Sequence, residues 1–387
     1  MKNKKSNMDE NTNINKDLNM DEERLMDELG SAIGYLVICP TKDDIKYDLG
    51  YIESLNCALA LLSGVMYDIN EIYGMNPKLK ELKEKSNFKE REQFLDFIRQ
   101  NRDILSEITK NFLNTLTENN YVNMQYYNCI RNYSVADFRQ LILDFYSRFD
   151  EKIYNMVKTY FDEERIQLGC YEYEDICSAF FASLKLLGSG YIFGVSSKYD
   201  SYNASCIVHE LGHAIDAENF IFPQQKKMGV YSDPLVEVPS TCFENIFLDY
   251  LDNNYIDKTG SLIMKNNNLN FMKNTAKDMQ KALTVPQFLI DPEGNAIVDG
   301  YAFNIRDAVI YGLGYYFSYH LKEIEKQDPK EFLKIFNNLI SSRNESTLCE
   351  SIETLGISVP DFVSGKYIND GIKDDTLKLK KRFNYHV

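Results

Sequence analysis

The segment SYNASCIVHELGHAIDAENF, residues 201–220, places His209, Glu210 and His213 in the spacing H-E-x-x-H. On an α-helix four residues advance the chain by just over one turn, so both imidazoles leave the same face and can reach one ion at about 2.0–2.1 Å. Glu210 then stands beside them, where its carboxylate can act as general base on a metal-bound water without being a ligand. Ile207, Val208, Leu211, Ala214 and Ile215 form an apolar face, so the segment reads as an amphipathic helix anchored in a core. The plainer reading is two polar residues four apart on a surface helix. The histidine count weighs against it: the chain has four, His209, His213, His320 and His386, and half of them fall in this motif.

A zinc site of this kind needs a third protein ligand. The short-range pattern HExxHxxGxxH is absent, because Asp216 stands at its glycine and Asn219 at its last histidine. Cys206 and Cys242 lie near in sequence, but a carboxylate on a second helix is the better match. SDPLVEVPSTCFENIFLDYLD, residues 232–252, offers Glu237 and Glu244 ahead of and within an amphipathic run of Phe243, Ile246, Phe247 and Tyr250. Seven residues make two turns, so the two acids face the same way. Pro239 suits a first helical turn, which puts Glu237 at the start of the helix and Glu244 inside it. Glu237 reads as the third ligand and Glu244 as the acid that orients a histidine from behind.

The rest of the chain frames this pair of helices. It has 387 residues, 44% of them hydrophobic, with nine prolines and nineteen glycines between long segments rich in Leu, Ile, Lys and Glu, a composition that predicts a mainly α architecture. Phe94, Phe97, Ile98, Ile104, Leu105, Ile108 and Phe112 recur at helical spacing, as do the apolar residues of DFRQLILDFYSRFDEKIYNMVKTYF, 137–161. Gly188, Gly190 and Gly194 bracket a β-prone run, Tyr191–Val195, just upstream of the motif helix. Residues 252–270, DNNYIDKTGSLIMKNNNLN, read as a polar, turn-rich connection, and residues 285–300, VPQFLIDPEGNAIVDG, as a loop or short hairpin before a helix from about Tyr301. Residues 1–21 read as a disordered tail. Residues 22–387 read as one domain, a helical lobe over 22–160 and a zinc-containing catalytic lobe over 161–387.

Charge and hydropathy exclude several partners. A formal net charge of -15 disfavours nucleic acid and anionic membrane surfaces. The basic start MKNKK has no apolar stretch behind it, which predicts no signal peptide. The longest apolar runs, 32–39 and 57–66, fall short of the roughly 18–20 residues of a membrane span. Eight scattered cysteines without a C-x-x-C read as free thiols of a reducing cytoplasm.

HELGHAID, 209–216, followed by Glu237 in VEVPSTCFEN, 236–245, resembles the thimet oligopeptidase and oligoendopeptidase F family of zinc peptidases. That family carries HExGH on one helix and E-x-x-S-x-x-x-E on the next. The resemblance spans roughly Gly188 to Tyr319. It implies that His209, His213 and Glu237 hold zinc, that Glu210 is the catalytic base, and that Glu244 supports a ligand. It also implies a two-lobed helical fold with a small β-sheet beside the motif helix and a deep channel that admits oligopeptides. In the family the strand before the motif helix pairs with substrate backbone, which would give Tyr191 a binding role. A C-terminal helix supplies a histidine and tyrosines for substrate and oxyanion. In the matching stretch GYAFNIRDAVIYGLGYYFSYH, 300–320, Tyr301 falls where the histidine is expected, Tyr311 keeps a tyrosine, and Tyr315 is a further substrate contact. A phenol can donate a hydrogen bond to an oxyanion as an imidazole can.

The function expected from these residues is that of a zinc metalloendopeptidase hydrolysing internal bonds of oligopeptides. The missing histidine and the short N-terminal side motivate an alternative, a zinc- and peptide-binding protein on a degenerate peptidase scaffold that no longer cleaves. A toxin-like protease acting on one protein is disfavoured by the lack of a signal peptide.

Overall fold

The computed structural model describes residues 91–118, 130–169, 179–184, 189–194, 196–221, 233–291, 294–298, 300–343 and 346–383, together with Leu29 and Glu81. The expected tail over 1–21 and nearly all of the segment up to residue 90 lie outside the described residues. Residues 91–100 are helical and lead into α1, Arg102–Glu118. α2, Val135–Tyr146, and α3, Glu151–Asp162, follow. Ser134 and Asp150 cap them by accepting from the backbone N–H three residues on.

A three-stranded sheet comes next, with β1 at Ile166–Leu168, β2 at Ala179–Leu184 and β3 at Ser189–Gly194. Its order is β1-β3-β2, with β1 parallel and β2 antiparallel to β3. The sheet lies against α4, Ser201–Asp216, the helix of the H-E-x-x-H motif. α4 begins where Asp200 accepts from Asn203 N–H and ends in a π-helical turn, Ala217–Ile221. Four of its apolar residues, Ile207, Val208, Leu211 and Ile215, are buried.

Helix α5, Val238–Asn253, is the centre of the described core. It packs on α4, on α6 (Lys258–Ala282) and on α7 (Ile305–Gln327). It is buried nearly all round, Phe243 and Phe247 completely, as expected of a helix surrounded by others. With no tryptophan in the chain, the densest packing is of Phe and Tyr rings, Phe145, Tyr146, Phe149, Phe243, Phe332 and Phe336 among them. Beyond the β4–β5 hairpin (Asn295–Val298, Tyr301–Asn304) and α7, the chain ends in α8 (Pro329–Ser342), α9 (Leu348–Thr354), α10 (Val359–Val363) and α11 (Lys366–Phe383).

The mainly α class and the small sheet beside the motif helix are as expected. Two local expectations are corrected. Residues 258–270, read as turn-rich, belong to the 25-residue helix α6. Asp257 caps it by accepting from Gly260 N–H at 2.9 Å. Leu262, Leu269, Met272, Ala276 and Met279 then bury one stripe, and that burial outweighs the weak helix preference of three successive asparagines. The helix expected from about Tyr301 begins at Ile305, because Asn304 caps it through Asp307 N–H. Tyr301 itself is the first residue of β5.

A buried charge cluster ties these helices together. Lys265 of α6 lies 2.5 Å from Asp249 of α5 and 3.2 Å from Asp375 of α11, and Lys322 of α7 lies 3.5 Å from Asp249. Burial alone would lower the Lys265 ammonium, but Asp375 and Asp249 outweigh it and hold it above its ordinary range.

Candidate metal centre

Two close helix crossings build the site. Gly212, inside the motif, lets α4 meet the first turn of α5 backbone to backbone, and Gly314 lets α7 pass against Glu237. Glu237 occupies the N-cap position of α5 but makes no capping hydrogen bond, and Pro239 in the first turn needs none. Its carboxylate turns instead toward α4. Glu237 Oε2 lies 3.5 Å from Nε2 of His209 and 3.5 Å from Nε2 of His213. The three potential ligand atoms all lie within 4.8 Å of one another, and they form a group that could hold a metal ion.

Partners behind these atoms fix their orientation. Glu244 Oε2 pairs with Nδ1 of His209 at 3.0 Å, leaving Nε2 directed at Glu237. Asn268 Nδ2 of α6 donates to the other Glu244 oxygen at 3.0 Å. Ser240 Oγ donates to Glu237 Oε2 at 3.0 Å. At the far end of α4, Arg343 pairs with Asp216 at 2.5 Å and with Asp233 at 2.7 Å, so it ties the end of that helix to the segment leading into Glu237. Such outer partners hold ligating side chains in place and tune their basicity.

Three carboxylates, Glu210, Glu237 and Glu244, meet two imidazoles here, so the site favours added positive charge. Burial would lower the His209 imidazole, but hydrogen bonds to Glu237 and Glu244 and the charge of Glu210 outweigh it and hold it well above its ordinary value. Burial likewise would raise Glu237, but His213 and His209 draw it well below the usual carboxylate range. Glu210 moves the other way. Desolvation lifts its carboxyl above the ordinary value against the pull of the two histidines. Glu210 also accepts a hydrogen bond from the Phe181 backbone N–H of β2.

That last contact brings β2, not β3, to Glu210. Ile192 N–H donates to Arg165 O at 2.8 Å, on the β1 side, while Ile192 pairs across the sheet with Phe181. Along a strand the N–H and C=O of one residue point the same way, so Ile192 and Phe181 exchange no ladder bonds and the Phe181 N–H faces outward. β3 is the central strand, paired on both sides. Among the described residues β2 is an edge of the sheet, and its Phe181 N–H faces Glu210. Tyr191, on β3, is half-buried opposite Ala182 with its ring stacked on Phe193.

The tyrosines of α7 divide. Tyr311 is half-buried; burial and the charges of Glu237, Glu210 and Asp307 lift its phenol well above the ordinary value. Tyr315 is buried, and burial with the charge of Glu244 does the same to it. Tyr301 makes its contacts elsewhere: its hydroxyl donates to Asp278 at 3.4 Å and its ring lies 3.9 Å from Lys281 Nζ. Asn268, Phe271 and the Phe181 N–H at the site had no reading in the sequence. Asn268 lies in, and Phe271 just after, the stretch 252–270 that reads as turn-rich, although Leu262 and Leu269 within it and Met272, Ala276 and Met279 beyond it repeat at helical intervals.

No family model and no curated protein matches the chain. Among solved structures it is similar to PZ peptidase A with an inhibitor, at 10% sequence identity and a TM-score of 0.51, over 93% of this chain and 76% of that one. It is also similar to a Bacillus anthracis str. Ames protein named as an oligoendopeptidase F, at 12% identity and a TM-score of 0.45, over 94% and 80% of the two chains. The chain has the α-rich fold of PZ peptidase A, so the resemblance drawn from the two helix motifs extends to the architecture. Among the described residues no helix is long and apolar enough to cross a membrane.

Proposed function

We propose that the chain is a zinc-dependent metalloendopeptidase of oligopeptides, with His209, His213 and Glu237 as ligands and Glu210 as base. The observation that carries this is the convergence of two imidazoles and one carboxylate within 4.8 Å, a donor set of zinc hydrolases, with a fourth side chain, Glu210, beside it and not among its ligands. Bound zinc would supply Lewis acidity to a scissile carbonyl and acidify the attacking water.

The chain's own residues do the rest. Glu210, raised by desolvation, takes a proton from the attacking water and returns it to the leaving amine. Glu244 keeps His209 Nε2 directed inward through Nδ1. Tyr311, whose phenol stays protonated beside Glu237 and Glu210, donates to the developing oxyanion. The outward N–H groups of β2 offer backbone hydrogen bonds to an extended peptide.

Glu210→Gln keeps the shape of the side chain and removes its basicity. The expected result is unchanged zinc content with cleavage of a quenched fluorescent peptide library reduced by at least 100-fold. Cleavage at the wild-type rate in this variant overturns the assignment. Zinc content without cleavage in the wild type favours a binding protein, the reading that Tyr301's engagement with Asp278 and Lys281 supports.

A further inference from the structure

Helix α6 brings a large apolar ring to the site that metal chemistry does not use. Phe271 is 47% exposed, three residues after Asn268, the side chain that holds Glu244. Residues three apart share a helix face, so Phe271 is presented on the side of α6 that faces the metal centre. Its ring meets that of Tyr311 edge-on at 5.7 Å and that of Tyr315 at 6.0 Å. Both tyrosines feel the acids of the site, Tyr311 the charges of Glu237 and Glu210 and Tyr315 that of Glu244. Two other strongly exposed apolar side chains, Phe288 and Ile297, lie before and within the β4–β5 hairpin. An aromatic side chain buries 150–250 Å² when covered, so on the order of 100 Å² of Phe271 is open to a ligand.

We propose that Phe271, backed by Tyr311 and Tyr315, forms the subsite for a large apolar side chain next to the scissile bond. The chain thereby selects peptides with an aromatic or long aliphatic residue at that position. This inference rests on the reading of the chain as a peptidase. An acidic residue is disfavoured there by the ring and by the negative charge of Glu237 and Glu244 behind it.

The test uses peptide pairs that differ only in Phe against Ala, scanned through each position. Two readouts are taken: kcat/KM with the zinc-loaded wild type, and Kd by fluorescence anisotropy with zinc-loaded Glu210→Gln. One position should favour Phe by about tenfold or more, the scale of an apolar pocket. Phe271→Ala should cut that ratio to about threefold or less, and Phe271→Leu should keep most of it. Because the side chain is half-exposed, the melting temperature of both variants should stay near that of the wild type. A Phe preference that Phe271→Ala leaves intact, or no preference in either readout, overturns the subsite; cleavage seen alongside that result leaves the peptidase reading standing. Phe271-dependent binding without any cleavage does the opposite, supporting the subsite and removing the hydrolytic reading.

Discussion

Gly212 and Ser240 touch backbone to backbone: a Cβ on Gly212 would stand 2.6 Å from Ser240 Cα and 2.7 Å from the Pro239 carbonyl oxygen. No rotamer change relieves such a clash, because both neighbours are main chain. The crossing of α4 and α5 at this point sets the distance between the histidines and Glu237. Gly212→Ala should therefore push the start of α5 outward and cost about 1–3 kcal/mol of stability, the usual size of overpacking. Zinc affinity should fall by more than about tenfold, since Glu237 moves with that turn. Thermal denaturation and competition with a chromophoric chelator read the two effects separately, and a variant with wild-type affinity would show that the crossing does not position Glu237.

Glu244 and Asn268 form a relay onto His209, from Asn268 Nδ2 to Glu244 and from Glu244 to His209 Nδ1. Removing the charge of Glu244 weakens the electron donation and the orientation of the imidazole together. Glu244→Gln is expected to lower zinc affinity by about 10- to 100-fold. Asn268→Ala should act in the same direction and less strongly, because it leaves the Glu244–His209 bond in place. Chelator competition on both variants checks the order; a larger loss for Asn268→Ala would contradict the relay.

The ion cluster around Lys265 bears on stability, not on the site. Its ammonium is buried among Asp249 and Asp375, and Lys265→Met leaves those carboxylates short of a counter-charge in a poorly solvated place. Breaking such a buried network from one side costs about 3–5 kcal/mol. Urea denaturation should show a loss of this size. A loss under about 1 kcal/mol would mean that Lys322, 3.5 Å from Asp249, takes over the compensation.

The parts of this fold that could be read in the sequence are those whose signal is local. His209 and His213 declare their common face by a spacing of four, and Glu237 is placed by Pro239 and by its two-turn distance from Glu244. Helix α6 was misread because the turn preference of Asn266, Asn267 and Asn268 masked the helical spacing of Leu262, Leu269 and Met272, whose burial holds the asparagines in the helix. The central position of β3 was illegible for a different reason. Residues 189–194 are apolar on both faces, which suits a middle strand or an edge strand under a helix, and strand order is fixed by β1 and β2 arriving from elsewhere. Tyr301 was read by its offset from Tyr311 along one helix, but Asn304 ends that helix first and turns Tyr301 toward Asp278 and Lys281.

His320 gives a pH dependence that is independent of the metal centre. It is buried in α7, its ring stacks on Phe362 at 4.6 Å, and its Nε2 has no hydrogen-bond partner among the described residues. Burial lowers its pKa from the ordinary 6.5 to about 3. The unfolded chain therefore takes up a proton at a pH where the folded chain does not. The stability supplied by the neutral ring is fully present above about pH 6.5 and is lost as the pH falls toward 3, at about 1.4 kcal/mol per unit. Between pH 7.5 and pH 5 the wild type should lose about 2 kcal/mol from this residue alone. His320→Phe, which keeps an aromatic ring against Phe362, should lose that much less over the same interval. Urea unfolding of both proteins at the two pH values measures the difference, and parallel losses would show that His320 gains a proton acceptor in the folded state.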